Sequence, residues 1–324
     1  MNTLDYIKQN LHNDLIYIPF DEISTKGHGN VLSVKIVIPT HCQAACKFCF
    51  NKITKKTQKH DFSVFMSNLQ NSLNVIGSVY HNRHITIDIT GNEPTFNLDE
   101  LMQFLEIIAD FKEKHSNIVD KVVITSNGFA LSKLKDISKK AYGAIDIINV
   151  SLHHYIYSKR KDIFGTALIP NNDELMDIVR DSRKVGKIIS SVAVYDCSTK
   201  DKTPDEFKRF VKEFAKFSFN VGFNDARIRL DYLMEDCTKP FFDCQIMDDE
   251  VIEHQQGLST KRIHTPDKYP VTIFRGVDDL TKHVIGVELV IDDDGLLYLD
   301  YSKRYPVSSE EISGFEKGIY LPKL

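Results

Sequence analysis

Short apolar runs rich in Val and Ile recur along the chain and alternate with longer stretches of helical period. The runs lie at 31–38 (VLSVKIVI), 84–90 (HITIDIT), 121–126 (KVVITS), 145–151 (IDIINVS), 187–195 (KIISSVAVY) and 226–233 (ARIRLDYL). They are short, β-branched and bounded by turn residues, which predicts buried strands. Between them, 62–79, 97–114, 131–141, 171–185 and 204–217 predict helices. In the second of these, Leu98, Leu101, Met102, Leu105 and Ile108 follow helical spacing. Asp99 and Glu100 fall in its first turn, where the helix dipole favours acids. Strands alternating with helices in this way predict βα units, a parallel sheet and right-handed crossovers. Residues 3–11 suit a short amphipathic helix, and 12–30 carry no clear period. Beyond about residue 240 the alternation ends. VIGVELVI (284–291), the turn Asp292-Asp293-Asp294-Gly295 and LLYLDY (296–301) predict a β-hairpin. The expected organisation is an N-terminal extension (1–30), an α/β core (31–240) and a small C-terminal α+β appendage (241–324).

Composition changes this picture little. The 324 residues are 42% hydrophobic and 27% charged, which is ordinary for a globular protein and argues against disorder. Lys plus Arg number 41 against 45 for Asp plus Glu, a net charge of −4. That disfavours a general nucleic-acid binder and leaves room for a local basic site. The chain lacks an apolar run long enough for a membrane helix. Met1-Asn2-Thr3-Leu4-Asp5-Tyr6 lacks the basic and apolar regions of a signal peptide. A cytoplasmic, reducing compartment and no membrane partner are expected. Six cysteines are present, and Cys42, Cys46 and Cys49 fall within eight residues. In a reducing compartment such clustering points to metal or redox chemistry, not disulfides.

Function in parallel α/β folds collects where strands end. Directly after the first strand stands Pro39-Thr40-His41-Cys42-Gln43-Ala44-Ala45-Cys46-Lys47-Phe48-Cys49-Phe50. Three thiolates at offsets of four and three can meet on one centre, and thiolates suit zinc and iron–sulfur clusters. A structural zinc wants a fourth ligand. His41 adjoins Cys42 too closely to chelate with ease, and Cys197, Cys237 and Cys244 lack zinc-finger pairing. Three ligands to a four-iron cluster leave one iron open, which is a catalytic arrangement. Cys197, Cys237 and Cys244 are read as structural.

The C-x3-C-x2-C spacing after a first strand, with Phe48 just before the third cysteine, resembles the signature of the radical S-adenosylmethionine (SAM) superfamily. After the second strand, Thr90-Gly91-Asn92-Glu93-Pro94-Thr95 resembles that family's Gly-Gly-Glu-Pro motif, which holds the SAM amino group. A carboxylate with exposed carbonyls suits an ammonium. The departure is Asn92, and Asn tolerates a left-handed backbone well enough for the turn to survive. Thr125-Ser126-Asn127-Gly128, after the third strand, resembles the family's Thr-Asn-Gly turn. Ser151, ending the fourth strand, resembles a contact to SAM ribose or carboxylate. Phe48, with Phe50 as runner-up, is the implied adenine contact. Arg227 and Arg229 alternate with Ile228 and Leu230, so they share one face. Arg229 there can take the SAM carboxylate or substrate. The resemblance implies a partial (βα)6 TIM-like barrel, a 4Fe-4S cluster on Cys42, Cys46 and Cys49, SAM as second cofactor, oxygen sensitivity, and an electron donor such as flavodoxin or ferredoxin. It also implies cleavage of SAM to a 5′-deoxyadenosyl radical that abstracts hydrogen from substrate.

The substrate is less directly legible. Lys52, Lys55, Lys56 and Lys59 follow the cysteine loop, and Lys159, Arg160 and Lys161 follow the fourth strand. Two cationic loops at one mouth of an acidic protein suggest an anionic small molecule or nucleotide. His153 and His154, with Lys159 and Arg160, are the candidate substrate contacts. The residues doing the catalysis proper are unassigned. The alternative is a peptide-modifying enzyme of natural-product biosynthesis. Against it, only about 30 residues precede the core, too few for a leader-binding domain, and an auxiliary-cluster domain is not evident. A non-catalytic zinc or iron–sulfur protein is the third reading.

Overall fold

The computed structural model describes residues 15–19, 31–46, 48–49, 61–79, 84–196, 202–230, 235–255, 258–276, 288–298 and 318–322. In chain order, strand β1 (Leu15–Pro19) precedes a regular run: β2 (Val31–Ile38), helix α1 (Phe62–Val79), β3 (His84–Gly91), α2 (Leu98–Lys114) and β4 (Val119–Ser126). There follow α3 (Lys139–Ala144), β5 (Ile147–Ser151), α4 (Tyr157–Phe164), α5 (Asn172–Lys184), β6 (Ile188–Tyr195), α6 (Pro204–Val221) and β7 (Asp225–Leu230). β2 to β7 pair in that order, each parallel to the next, as their buried Val/Ile character requires. This is the partial (βα)6 barrel.

Alternate residues of each strand bury against the helices: Val34 and Ile36 on β2, Ile87 and Ile89 on β3, Ile124 on β4, Ile228 on β7. Each contributes about 1.5–3 kcal/mol of burial. The residues between them face the barrel interior. Helix starts are set by side chains. Asn171 and Glu174 close a capping box on α5, and Thr203 and Glu206 do so on α6, so both begin where the sequence places them. The stretch 131–141 differs. It divides into a 3-10 turn (Leu131–Asp136) and α3, because Ser138 caps a fresh start by accepting from Ala141 N–H. α4 falls where the sequence suggests a basic loop; its polar run YSKRKDIF shows no apolar stripe.

The C-terminal region adds α7 (Glu235–Asp243), β8 (Val251–Gln255), β9 (Leu258–His264), β10 (Pro270–Gly276), β11 (Glu288–Ile291) and β12 (Leu297–Tyr298). Its strands extend the barrel sheet at both sides. β10 lies parallel to β7 and carries β9 and β8 antiparallel beyond it. β11 lies parallel to β2 on the other side and forms the expected hairpin with β12. The result is an eleven-stranded sheet, β12-β11-β2-β3-β4-β5-β6-β7-β10-β9-β8. β13 (Gly318–Pro322) pairs with β1 in a separate two-stranded sheet. The expected helix at 3–11, Phe50, Lys52, Lys55, Lys56, Lys59 and Cys197 lie outside the described residues. Among the described residues, helices long and apolar enough to cross a membrane are absent.

Candidate active site

The cysteine loop is fastened at three points. Thr40 Oγ1 donates to Glu93 O at 3.0 Å, and Glu93 N–H returns a bond to His41 O at 3.1 Å. Further along, Ala45 N–H donates to Phe164 O at 2.6 Å, at the end of α4. The loop is thus tied both to the loop after β3 and to the element after β5. Cys42 is exposed, and Cys46 and Cys49 are half-buried. The Cys42 sulfur accepts from Ala44 N–H at 3.4 Å and from Asn127 Nδ2–H at 3.7 Å. Donors aimed at sulfur favour a thiolate, the form that ligates iron. The three thiols share one loop but are not drawn to the spacing of a single metal ion. A thiolate-only donor set with one iron left open fits a 4Fe-4S cluster.

Glu93 is the knot of the site. It is 1% exposed. Its Oε1 accepts from Thr95 N–H (3.0 Å), Thr95 Oγ1 (2.6 Å) and Ser126 Oγ (2.6 Å), and its Oε2 from Asn127 N–H (2.7 Å). Burial pushes its pKa up, and the hydrogen bonds from Ser126, Thr95 and Asn127 act against that rise. The carboxylate therefore binds the loops after β3 and β4 together, and the Gly91–Asn92 backbone is what this motif has left to offer an ammonium. The left-handed residue of the turn is Gly91, with φ +111°, where a Cβ would stand 2.7 Å from Val37 Cγ1. Asn92 is not left-handed, so the family's second glycine is dispensable here and the tolerance argued for Asn92 is not needed. Pro94 and Thr95 are buried in the short turn that follows. Thr40, Gln43 and Thr95 were not singled out from the sequence. Their signal is adjacency, since each is a short polar residue within two positions of a motif residue.

At the end of β5, Ser151 is half-buried at the strand terminus. His153 is a correction to the expected substrate contacts. It is buried at φ +61°, its Nδ1 accepts from Val194 N–H at 3.0 Å, and its ring lies between Phe48 (4.7 Å) and Phe164 (5.0 Å). Burial lowers its pKa to about 3, so it is neutral and supports the loop. His154 is half-buried, and burial together with Lys159, Arg160 and Lys202 lowers its pKa to about 4. Arg160 is the second correction. It is 0% exposed, donates to Asn172 Oδ1 (2.7 Å) and Tyr155 O (3.3 Å), and lies over the rings of Tyr157 and Phe217. These contacts fasten it to α4 and the start of α5, away from solvent. Lys159 remains exposed. Cys244 is half-buried and donates to Phe241 O at 3.0 Å.

The interior face of the sheet is polar where a filled barrel would carry Val, Ile and Leu. Lys35 pairs with Asp88 across β2 and β3. Asn149 Nδ2 donates to Thr125 Oγ1 at 3.4 Å, and its Oδ1 accepts from Arg227 (3.5 Å), which also donates to Asp225 (3.0 Å). Ala226, Ile228 and Leu230 are buried in the core, so Arg227 and Arg229 face inward, and Arg229 is exposed there. Register sets Arg227 level with Thr272, and Thr272 level with Arg262. A cleft of about 480 Å3 opens beside the start of the cysteine loop, walled by Thr40, His41, Thr95, Phe96 and Phe129, with Asp99, Glu100 and Lys133 as its charged residues.

Residues 25–168 match the family described as a 4Fe-4S single cluster domain. That span holds the cysteine loop, the Glu93 knot and the Asn127 turn. The match takes in under half of the chain and makes this segment similar to a 4Fe-4S domain. That similarity supports a 4Fe-4S cluster as the group the three cysteines would hold. Among solved structures, SuiB of Streptococcus suis shares the fold at TM-score 0.51 and 13% identity, over 89% of this chain and 65% of that one. SuiB bound to precursor peptide SuiA aligns at TM-score 0.44 and 18% identity, over 65% and 42%. anSMEcpe with bound AdoMet aligns at TM-score 0.42 and 16% identity, over 62% and 52%. The chain thus spans 42–65% of the length of these proteins. No curated protein matches it in sequence.

Proposed function

We propose that this chain is a radical SAM enzyme, and that it abstracts hydrogen from an anionic small molecule or nucleotide held inside the partial barrel. The observation that carries the reading is the inward-facing Arg227 and Arg229 on a polar wall, with Arg229 at the C-terminal end of β7 just as the cysteine loop follows the C-terminal end of β2. With its cluster reduced by an external donor such as flavodoxin or ferredoxin, bound SAM supplies a 5′-deoxyadenosyl radical. The chain's own residues position and enclose. Cys42, Cys46 and Cys49 would hold the cluster. The Gly91–Asn92 backbone would take the SAM amino group, Ser151 its ribose or carboxylate, and Phe48 its adenine. Glu93, Ser126 and Asn127 keep those loops in one geometry. Arg229 would hold the substrate anion, and exposed Lys159 would draw it to the mouth.

A peptide substrate is the second reading. The observation that favours it is the sheet edge β8, where Val251 (56%) and Ile252 (47%) are exposed in a position to accept an added strand. SuiB, which shares the fold, was solved with its precursor peptide.

Anaerobic reconstitution should give about four irons per chain, as three clustered thiolates require. Cys42→Ala, Cys46→Ala and Cys49→Ala should each abolish SAM cleavage. Zinc without sulfide, or cleavage surviving in any one variant, refutes the assignment. Deuterated metabolite pools and short peptides, offered separately, should transfer deuterium to 5′-deoxyadenosine from the true class of substrate. Transfer from peptides alone would replace the first reading with the second.

A further inference from the structure

We infer that Asn127 tunes the reduction potential of the cluster by donating an N–H···S hydrogen bond to Cys42. The inference rests on the radical SAM reading and goes beyond it, because it gives a residue remote in sequence a role toward the iron. Asn127 follows β4 and is 7% exposed. Its Oδ1 accepts from Gln43 Nε2 at 2.9 Å and from Phe129 N–H at 3.1 Å. Two donors on that oxygen fix the amide, since a flipped amide would set donor against donor. The other end, Nδ2, is thereby turned toward Cys42 Sγ, 3.7 Å away. The backbone is fixed as well, by Asn127 N–H on Glu93 Oε2. Gln43 adjoins Cys42 and also donates to Leu168 O at 3.1 Å, so the amide that orients Asn127 is itself held on the cysteine loop. Ala44 N–H supplies a second donor to the same sulfur.

Reduction of the cluster takes up one electron from an external reductant and breaks no bond. The added charge spreads over irons and sulfurs, so a donor on sulfur is worth more in the reduced state, and the potential rises. Hydrogen bonds to the sulfurs are among the levers that set such potentials. Asn127 acts through Cys42 and is a positioning residue.

The test is a mediated redox titration of the reconstituted full chain without SAM, followed by EPR, on wild type, Asn127→Leu and Asn127→Asp. Leu removes the donor. Asp keeps the acceptor bonds from Gln43 and Phe129, and so the fold of the turn, while replacing the donor with negative charge. Asn127→Leu should lower the reduction equilibrium constant about tenfold, a midpoint about 59 mV more negative for one electron. Asn127→Asp should move it further the same way. Gln43→Leu, which frees the amide, should give a smaller shift in that direction. Should Asn127→Leu fail to fold, the Asp variant decides. Wild-type midpoints in the folded four-iron variants would overturn the inference and leave Asn127 a structural link. Failure of the wild-type chain to take up a cluster would instead overturn the functional reading itself.

Discussion

His153→Asn separates a support role from a chemical one. The buried imidazole is neutral, and protonating it would set a second donor against Val194 N–H inside an aromatic pocket. Its pKa falls from 6.5 to about 3 because of burial. The unfolded chain therefore takes up this proton near its ordinary value, and the folded chain does so only far below it. Stability from His153 is fully present above the unfolded pKa and is lost as pH falls through 6.5 toward about 3. At about pH 5 the loss is roughly 1.5 pKa units, or about 2 kcal/mol, relative to about pH 7.5. Asn is the informative replacement, since its side-chain oxygen can accept from Val194 N–H, it tolerates the positive φ, and it does not titrate. Urea denaturation of both proteins at the two pH values gives the difference directly, because every other group, His154 included, is common to both. The wild-type stability should fall by about 2 kcal/mol more than the variant's between those pH values. Parallel curves would refute the neutral, buried assignment and return His153 to the candidates for proton transfer.

Three further outcomes follow from the site. Glu93→Ala leaves the N–H groups of Thr95 and Asn127 without an acceptor, which should cost about 2–6 kcal/mol in urea denaturation, with cluster uptake impaired; a loss below about 1 kcal/mol would contradict the knot. Gly91→Ala places a Cβ 2.7 Å from Val37 Cγ1 at φ +111°, and thermal denaturation should show a cost of about 1–3 kcal/mol. Arg160→Met should alter stability while leaving SAM affinity by isothermal titration unchanged, whereas Arg229→Met should raise substrate KM about tenfold or more; the reverse pattern would exchange the two arginines' roles.

The sheet was legible because Val and Ile recur at the helix-facing positions of its strands, and β2, β3 and β6 fall within a residue or so of the apolar runs. Helix α1 coincides with its apolar period at both ends. α4 escaped because Arg160, a residue that normally marks solvent, is its buried anchor. β9 escaped for the same reason, since Lys261 is 1% exposed and pairs with Glu250 at 3.0 Å. Periodicity reads hydrophobicity and cannot see a cation that is buried because a carbonyl, an amide or a carboxylate waits for it. The proposed cluster ligands stand out in the sequence because chelation favours short local spacing. The Asn127–Gln43 and Glu93–Ser126 contacts were not, because they join residues that only the parallel sheet brings side by side.

The placement of β11 beside β2 has a consequence for assembly. β2 leads into the cysteine loop, and its full set of neighbours includes Glu288–Ile291, which lie far along the chain from it. Until those residues pair, the strand that roots the cluster loop is an edge strand, with one row of backbone groups in water. Loop closure over such a separation in sequence comes late in folding. Iron delivered before β11 has paired would meet three cysteines on a half-anchored strand, so loading of the proposed cluster belongs after that pairing.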